Sequence, residues 1–135
     1  MIAYVDSSAL LRSLLNHPSI HPDWGSWEDA VTSALTEVET LRTLDRYRLS
    51  QRLTDPELAQ TLSHFRWLWD TFHVLDLDEA VLRRAGQPFP TSLGTLDALH
   101  LASALLWKER SPGPMHFLTH DAQLGTAAQA VGFRI

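Results

Sequence analysis

The sequence predicts an α/β fold: a central, mainly parallel sheet of four to five strands with helices on both faces. Two observations carry that prediction. Short apolar runs of strand length, Ile2 to Val5, Phe72 to Leu75 and Met115 to Leu118, are separated by longer stretches of helical period. Residues suited to cap a helix follow most of these runs almost at once. Strands separated by helices need crossover connections, which make neighbouring strands parallel and bring the helices onto the faces of the sheet. With 135 residues the chain suits one domain, spanning 1–135. Folding at this size buries roughly two-thirds of the unfolded surface, enough to hold the chain together without disulfide or structural metal.

The elements follow in order. Ile2 to Val5 reads as a strand, and Asp6-Ser7-Ser8 supplies capping groups for a helix over Ala9 to Leu15. His17-Pro18 and His21-Pro22 impose extended or turn geometry, and a short helix is expected around Ser26 to Ala30. Val31 to Ser33 is a strand candidate. Thr36 and Glu39 have capping-box spacing and are expected to open a helix to about Ser50; Thr54 and Glu57, with Pro56 in the first turn, open another to about Asp70. The two helices make a hairpin. Phe72 to Leu75 is strand-like, Asp78 to Ala85 helical, and Gly86 to Pro90 a loop with two prolines. Thr95 to Lys108 lines Leu96, Leu99, His100, Ser103 and Leu106 along one flank of a long helix that Ser111-Pro112-Gly113-Pro114 stops. Met115 to Leu118 is a strand, Asp121 to Val131 a helix ended by Gly132, and Phe133 to Ile135 a short last strand.

Composition removes several classes of chemistry. The chain has no Cys, which excludes a disulfide framework, a thiolate zinc site, an iron–sulfur cluster and a cysteine nucleophile. Eleven basic against 16 acidic residues give a net charge of −5, which argues against nucleic-acid binding through a generally basic surface. No apolar run approaches the ~20 residues of a membrane span, so no membrane association is expected. The first residues, interrupted by Asp6, lack the pattern of a secretory signal, and the expected location is cytoplasmic.

In parallel sheets ligands bind beyond the carboxyl ends of the strands, and every helix that follows a strand starts at that edge. Asp6, Glu39, Asp97 and Asp121 each stand just after a strand or near a helix start, so all four are expected on one rim despite their distance along the chain. Two carboxylates ~4 Å apart repel by roughly 4 kcal/mol at an effective dielectric near 20. A bound cation is the natural compensation, and hard oxygen ligands without sulfur select Mg²⁺ or Mn²⁺. Each acid also has a plainer reading. Asp6, Asp97 and Asp121 suit a helix start, and Glu39 suits the third position of a capping box. Asp55 and Glu57, which follow no strand, serve as internal controls; Asp76 and Asp78 read as caps further from the centre of the sheet.

The segments YVDSSALL at the N-terminus, SALTEVETLRTL over 33–44, TLDALHLASAL over 95–105 and FLTHDAQLGTAAQAVGF over 117–133 resemble those of PIN-domain proteins of the VapC toxin type, and the likeness covers essentially the whole chain. Carried over residue by residue, the resemblance places the family's metal-binding and catalytic acids at Asp6, Glu39, Asp97 and Asp121, with Glu37 as the alternative to Glu39. It implies a Mg²⁺-dependent ribonuclease that cuts RNA and is neutralised by a cognate antitoxin protein. An Arg often precedes the third motif in relatives; here Gly94 and Thr95 stand in its place. Metal-held acids would activate water and stabilise charge on the phosphodiester without a protein nucleophile.

Bound divalent ions would reverse the local field at the pocket, so few cationic side chains are needed to steer RNA there. Arg42 and Arg46 follow Glu39 at helical spacing and are candidate phosphate contacts, with pairing to Asp45 or Glu39 as the equal alternative for Arg42. Ser7 and Thr119 adjoin the acids and are candidates to touch substrate or a ligand water, although local backbone donors are the commoner use of such hydroxyls. His100, three residues after Asp97, is read as a packed, hydrogen-bonded side chain rather than a ligand. Trp67 and Trp69 cannot both face inward on one helix, and a homodimer is expected to cover one of them.

Overall fold

A computed structural model describes all residues, 1–135. Four strands, β1 (Ile2–Val5), β2 (Asp29–Ser33), β3 (His73–Leu75) and β4 (Met115–Leu118), pair in the order β3-β2-β1-β4, and every pairing is parallel. Tyr4 in the central strand lies opposite Val31 on one side and Phe117 on the other. Six helices complete the chain: α1 (Ser7–Leu14), α2 (Ala34–Leu49), α3 (Asp55–Trp69), α4 (Glu79–Ala85), α5 (Thr95–Arg110) and α6 (Ala122–Ala130).

Alternation along β1 divides the core into two halves. Ala3 and Val5 point to one face and pack with Ala9, Leu10 and Leu14 of α1 and Phe65 and Leu68 of α3. Tyr4 points to the other and packs with Phe117, with Leu101 and Ala104 of α5, and with Leu124, Ala127 and Ala128 of α6. The result is the expected three-layer sandwich with a sheet of four strands. No helix is long and apolar enough to cross a membrane.

Three expectations fail locally. There is no helix at 26–30, where β2 already begins at Asp29; Trp24 and Trp27 anchor the preceding turns by packing edge to face with each other, 5.1 Å apart, against the α1–α3 half of the core. The capping box at Thr36 is absent as well. α2 starts at Ala34 because Ser33 is its N-cap, accepting from the Leu35 amide at 3.1 Å. Thr36 is instead fully buried, its hydroxyl 2.8 Å from that of Thr32, which donates to the Val5 carbonyl at 2.6 Å. Glu39 therefore sits in the second turn of α2 rather than the first. Residues 133–135 form no strand either: a single bridge joins Arg134 to His116, after Gly132 has ended α6 in the left-handed region at φ 91°.

The capping box of α3 is present in full. Thr54 accepts from the Glu57 amide at 3.3 Å, and the Glu57 carboxylate accepts from the Thr54 amide at 3.1 Å. Thr54→Ala is expected to lower the melting temperature by about 2–4 °C, read by thermal unfolding, since it removes one cap from an exposed helix start.

Candidate active site

Asp6 is the most firmly held of the four acids. It directly follows β1 and caps α1, where its Oδ1 accepts from the Ala9 amide at 2.9 Å and the Ser8 hydroxyl at 2.7 Å. Its Oδ2 accepts from the Thr119 hydroxyl at 2.6 Å. The residue is only 3% exposed. Burial pushes its carboxyl above the usual range, although the Thr119 hydroxyl, the Ala9 amide, His100 and Ser8 all act the other way. A buried carboxylate still short of compensation after three hydrogen bonds is suited to a cation.

Thr119 and Ser8 tie the ends of β1 and β4 together. The Thr119 hydroxyl donates to Asp6 and accepts from the Asp121 amide at 3.0 Å, while Ser8 Oγ accepts from the His120 amide at 2.8 Å. These bonds position acids, and Ser8 is a member of the site that sequence reasoning missed; its spacing two residues after a capping Asp was the available signal. Asp121 caps α6 through Oδ1, which accepts from the Leu124 amide at 2.9 Å, and it lines an open cleft of about 400 Å³ with Thr119, His120 and Gly125.

Glu39 approaches from α2. Its Oε1 lies 2.5 Å from Nε2 of His100, and the residue lines a second cleft of about 360 Å³ with Ser7, Leu35, Arg42, Arg46 and Leu96. Glu37 is exposed and makes no hydrogen bond, so of the two acids in this segment it is Glu39 that the fold brings to the site. Arg42 and Arg46 share the Glu39 cleft, as their spacing predicts. Arg42 also pairs with Asp45 at 3.6 Å, and Arg46 donates to the Thr43 hydroxyl at 2.9 Å, both on an exposed surface.

Asp97 differs from the other three. It is the third residue of α5, whose N-cap Gly94 offers no side-chain bond, and its half-buried carboxylate accepts no hydrogen bond at all. Loss of hydration raises its carboxyl above the usual range, and the charges of Asp121, Asp6 and Glu39 raise it further, with His100 opposing them. The mutual field of the four acids is thus felt at one carboxyl. Asp55 and Glu57 are exposed and take no part in it, while Asp78 caps α4 by accepting from the Val81 amide at 3.0 Å.

The donor set suits a hard divalent cation in type and charge: carboxylates only, two of them with raised pKa, and no sulfur. It is not a finished cage, because no three Asp, Glu or His side chains converge on one point. Three of the acids are tethered by hydrogen bonds and Asp97 is not, which leaves Asp97 free to turn toward an ion. His100 is buried, 1% exposed, with Nδ1 at 2.9 Å from the Tyr4 hydroxyl and Nε2 on Glu39, in keeping with its reading as a packed, hydrogen-bonded side chain.

Comparison with known proteins shows what the chain is similar to. Over residues 3–127 the chain matches the family model described as PIN domain. It is 34% identical over 137 aligned positions to Ribonuclease VapC47 of Mycobacterium tuberculosis (strain CDC 1551 / Oshkosh), an alignment covering 96% of this chain and 92% of that protein. A solved toxin-antitoxin complex from Klebsiella pneumoniae contains a chain of the same fold, with a TM-score of 0.65 and 17% identity over 95% of this chain and 93% of that one. A match of this extent, on a parallel sheet whose carboxyl edge gathers the acids, decides the family: the chain belongs to the PIN domain family.

Proposed function

We propose that this chain is a divalent-metal-dependent endoribonuclease that hydrolyses RNA phosphodiester bonds, acting as the toxin of a toxin–antitoxin pair. The observation that carries the reading is the half-buried Asp97 carboxylate, which accepts no hydrogen bond and lies in the field of Asp121, Asp6 and Glu39, the four acids coming from four separate parts of the fold. The likeness to Ribonuclease VapC47 over nearly the whole of both chains supports the reaction, and the toxin-antitoxin complex of like fold is in keeping with an antitoxin partner.

Asp6, Glu39, Asp97 and Asp121 would hold Mg²⁺, or Mn²⁺ in its place. Such an ion supplies a water of lowered pKa and a positive charge opposite the phosphodiester. The protein does the rest. Thr119 and Ser8 fix Asp6 at the end of β1, His100 holds one oxygen of Glu39, and Arg42 and Arg46 line the approach on the Glu39 side where a phosphate backbone would run. With no cysteine, and with the Ser8 and Thr119 hydroxyls engaged on Asp6, water is the attacking group. The reading includes a cytoplasmic location and a homodimer, the latter motivated by Trp67, which stands 66% exposed while Trp69 packs on the core.

One observation favours a second reading, a non-catalytic RNA- or protein-binding module: the acids do not already converge on a point. Incubation of the purified chain with single-stranded RNA and Mn²⁺ separates the two. Internal cleavage without 2′,3′-cyclic phosphate ends is expected, because water rather than the ribose 2′-hydroxyl attacks; retention on RNA without cleavage would favour the binding module.

A further inference from the structure

Three groups from distant parts of the chain form one line of hydrogen bonds: Tyr4 on β1, His100 on α5 and Glu39 on α2. The Tyr4 oxygen lies 2.9 Å from Nδ1 of His100, and Nε2 of the same ring lies 2.5 Å from Oε1 of Glu39. Tyr4 and His100 are essentially without solvent exposure, whereas the Glu39 side chain retains 23% and reaches the cleft beside Ser7 and Arg42. The tyrosine ring is fixed by stacking on Phe117, with centroids 4.9 Å apart and planes at 22°, and the imidazole meets it nearly edge-on at 78°.

Hydrogen-bond inventory gives this line a direction. A carboxylate only accepts, so Nε2 must carry the hydrogen that faces Glu39. In a neutral imidazole the other nitrogen is then bare and needs a donor, and the Tyr4 hydroxyl is the group in place to supply it. Tyr4 thereby satisfies the nitrogen left bare in the ring form that holds Glu39, and fixes the ring in place. One carboxylate oxygen of Glu39 is committed to His100, and Oε2 is left for the cleft.

We infer that Tyr4 and His100 are positioning residues that orient the Glu39 carboxylate for a divalent cation. This inference rests on the proposed role of Glu39 as a cation ligand and adds the pair that aims it. Groups hydrogen-bonded to metal ligands commonly alter metal affinity by about 10–100-fold when replaced. The remaining acids are held otherwise: Asp6 by its own helix start and by the Thr119 hydroxyl, Asp121 by its own helix start, and Asp97 by none. Glu39, in the second turn of α2, is beyond the reach of its helix's first amides and requires an outside tether.

The test uses Mn²⁺ alone, titrated calorimetrically into the metal-free protein without RNA. Tyr4→Phe removes one oxygen and keeps the ring that stacks on Phe117; it is expected to weaken Mn²⁺ binding about 10-fold. His100→Leu is expected to weaken it about 100-fold, and His100→Gln, which restores an N–H toward Glu39, to recover most of that loss. Long-range ¹H–¹⁵N correlation of the imidazole in the metal-free protein supplies a second readout. The hydrogen is expected on Nε2 in both the unsubstituted chain and Tyr4→Phe, while the Nδ1 resonance of Tyr4→Phe moves toward that of a bare nitrogen with no donor, a change that simple space-filling would not produce. Equal Mn²⁺ affinity in Tyr4→Phe and the parent, or a hydrogen on Nδ1 with Nε2 bare in the parent, would overturn the positioning role alone. Failure of the parent to bind Mn²⁺ would overturn the proposed function and this inference with it.

Discussion

Asp97→Asn is expected to lower RNA cleavage by more than about 100-fold while leaving the metal-free protein at least as stable as the parent. The first half follows from placing Asp97 among the ligands, where loss of a charged donor should exceed the ~10–100-fold typical of groups that merely support one. The second half follows from its surroundings. Its carboxylate accepts no hydrogen bond, and it lies in the field of three other acids. An amide of the same shape relieves that repulsion and forgoes a helix-dipole interaction of about 0.3–1 kcal/mol, so the two effects nearly cancel. Asp6→Asn is a poorer probe, because the amide would turn a donor toward Thr119 or Ser8 and leave a buried group without its partner.

The same residue sets a pH dependence. An acid whose folded pKa lies above its unfolded one contributes nothing below the unfolded value, and destabilises the fold increasingly as pH rises through the folded value. Asp97 and Asp6 are both of this kind. Metal-free parent protein should therefore lose stability relative to Asp97→Asn as pH rises from the unfolded carboxylate value of about 4 through the raised folded one, with no further loss above it, as measured by urea unfolding at each pH. A stability difference that does not change with pH, or one in which Asp97→Asn is the more sensitive, would show that the fold does not bear the cost of a dehydrated charge among other acids at this carboxyl.

Divalent metal should have the next largest effect. At about 100 times its dissociation constant, Mn²⁺ or Mg²⁺ stabilises the protein by about 2.7 kcal/mol, which for a chain of this length raises the melting temperature by about 8–10 °C, and EDTA should reverse the gain together with cleavage. Glu39→Gln, which keeps the shape and loses the charge, should show less than half that rise. An undiminished rise in Glu39→Gln would place the ion elsewhere.

The sheet was legible because its strands are short apolar runs bounded by turn and capping residues, and parallel strands buried on both faces leave little else for Ile2 to Val5 or Met115 to Leu118 to be. The start of α2 was not, because two hydroxyls competed for it. Ser33 and Thr36 both suit an N-cap, and the choice was made by the Val5 carbonyl across the sheet, which drew Thr32 and then Thr36 into a buried pair. Nor was the segment before β2, whose order comes from two tryptophans finding the core rather than from any backbone period. Of the candidate site, the placement of the acids along one edge could be read because strand ends and helix starts announce the rim. The line from Tyr4 through His100 to Glu39 could not, since its members stand on three elements and nothing in their spacing relates them. His100 invited only the general expectation of a packed, bonded ring, and the partners came from the fold.

β1 is synthesised before both strands that flank it, β2 and β4, and Asp6 takes one of its hydrogen bonds from Thr119, which follows β4. A nascent chain arrested before residue 115 holds one edge of β1 open and lacks both Thr119 and Asp121. Half-made polypeptides of this architecture should accordingly lack a complete rim of acids, and the cleavage proposed above would begin only once the segment through Asp121 has folded onto β1.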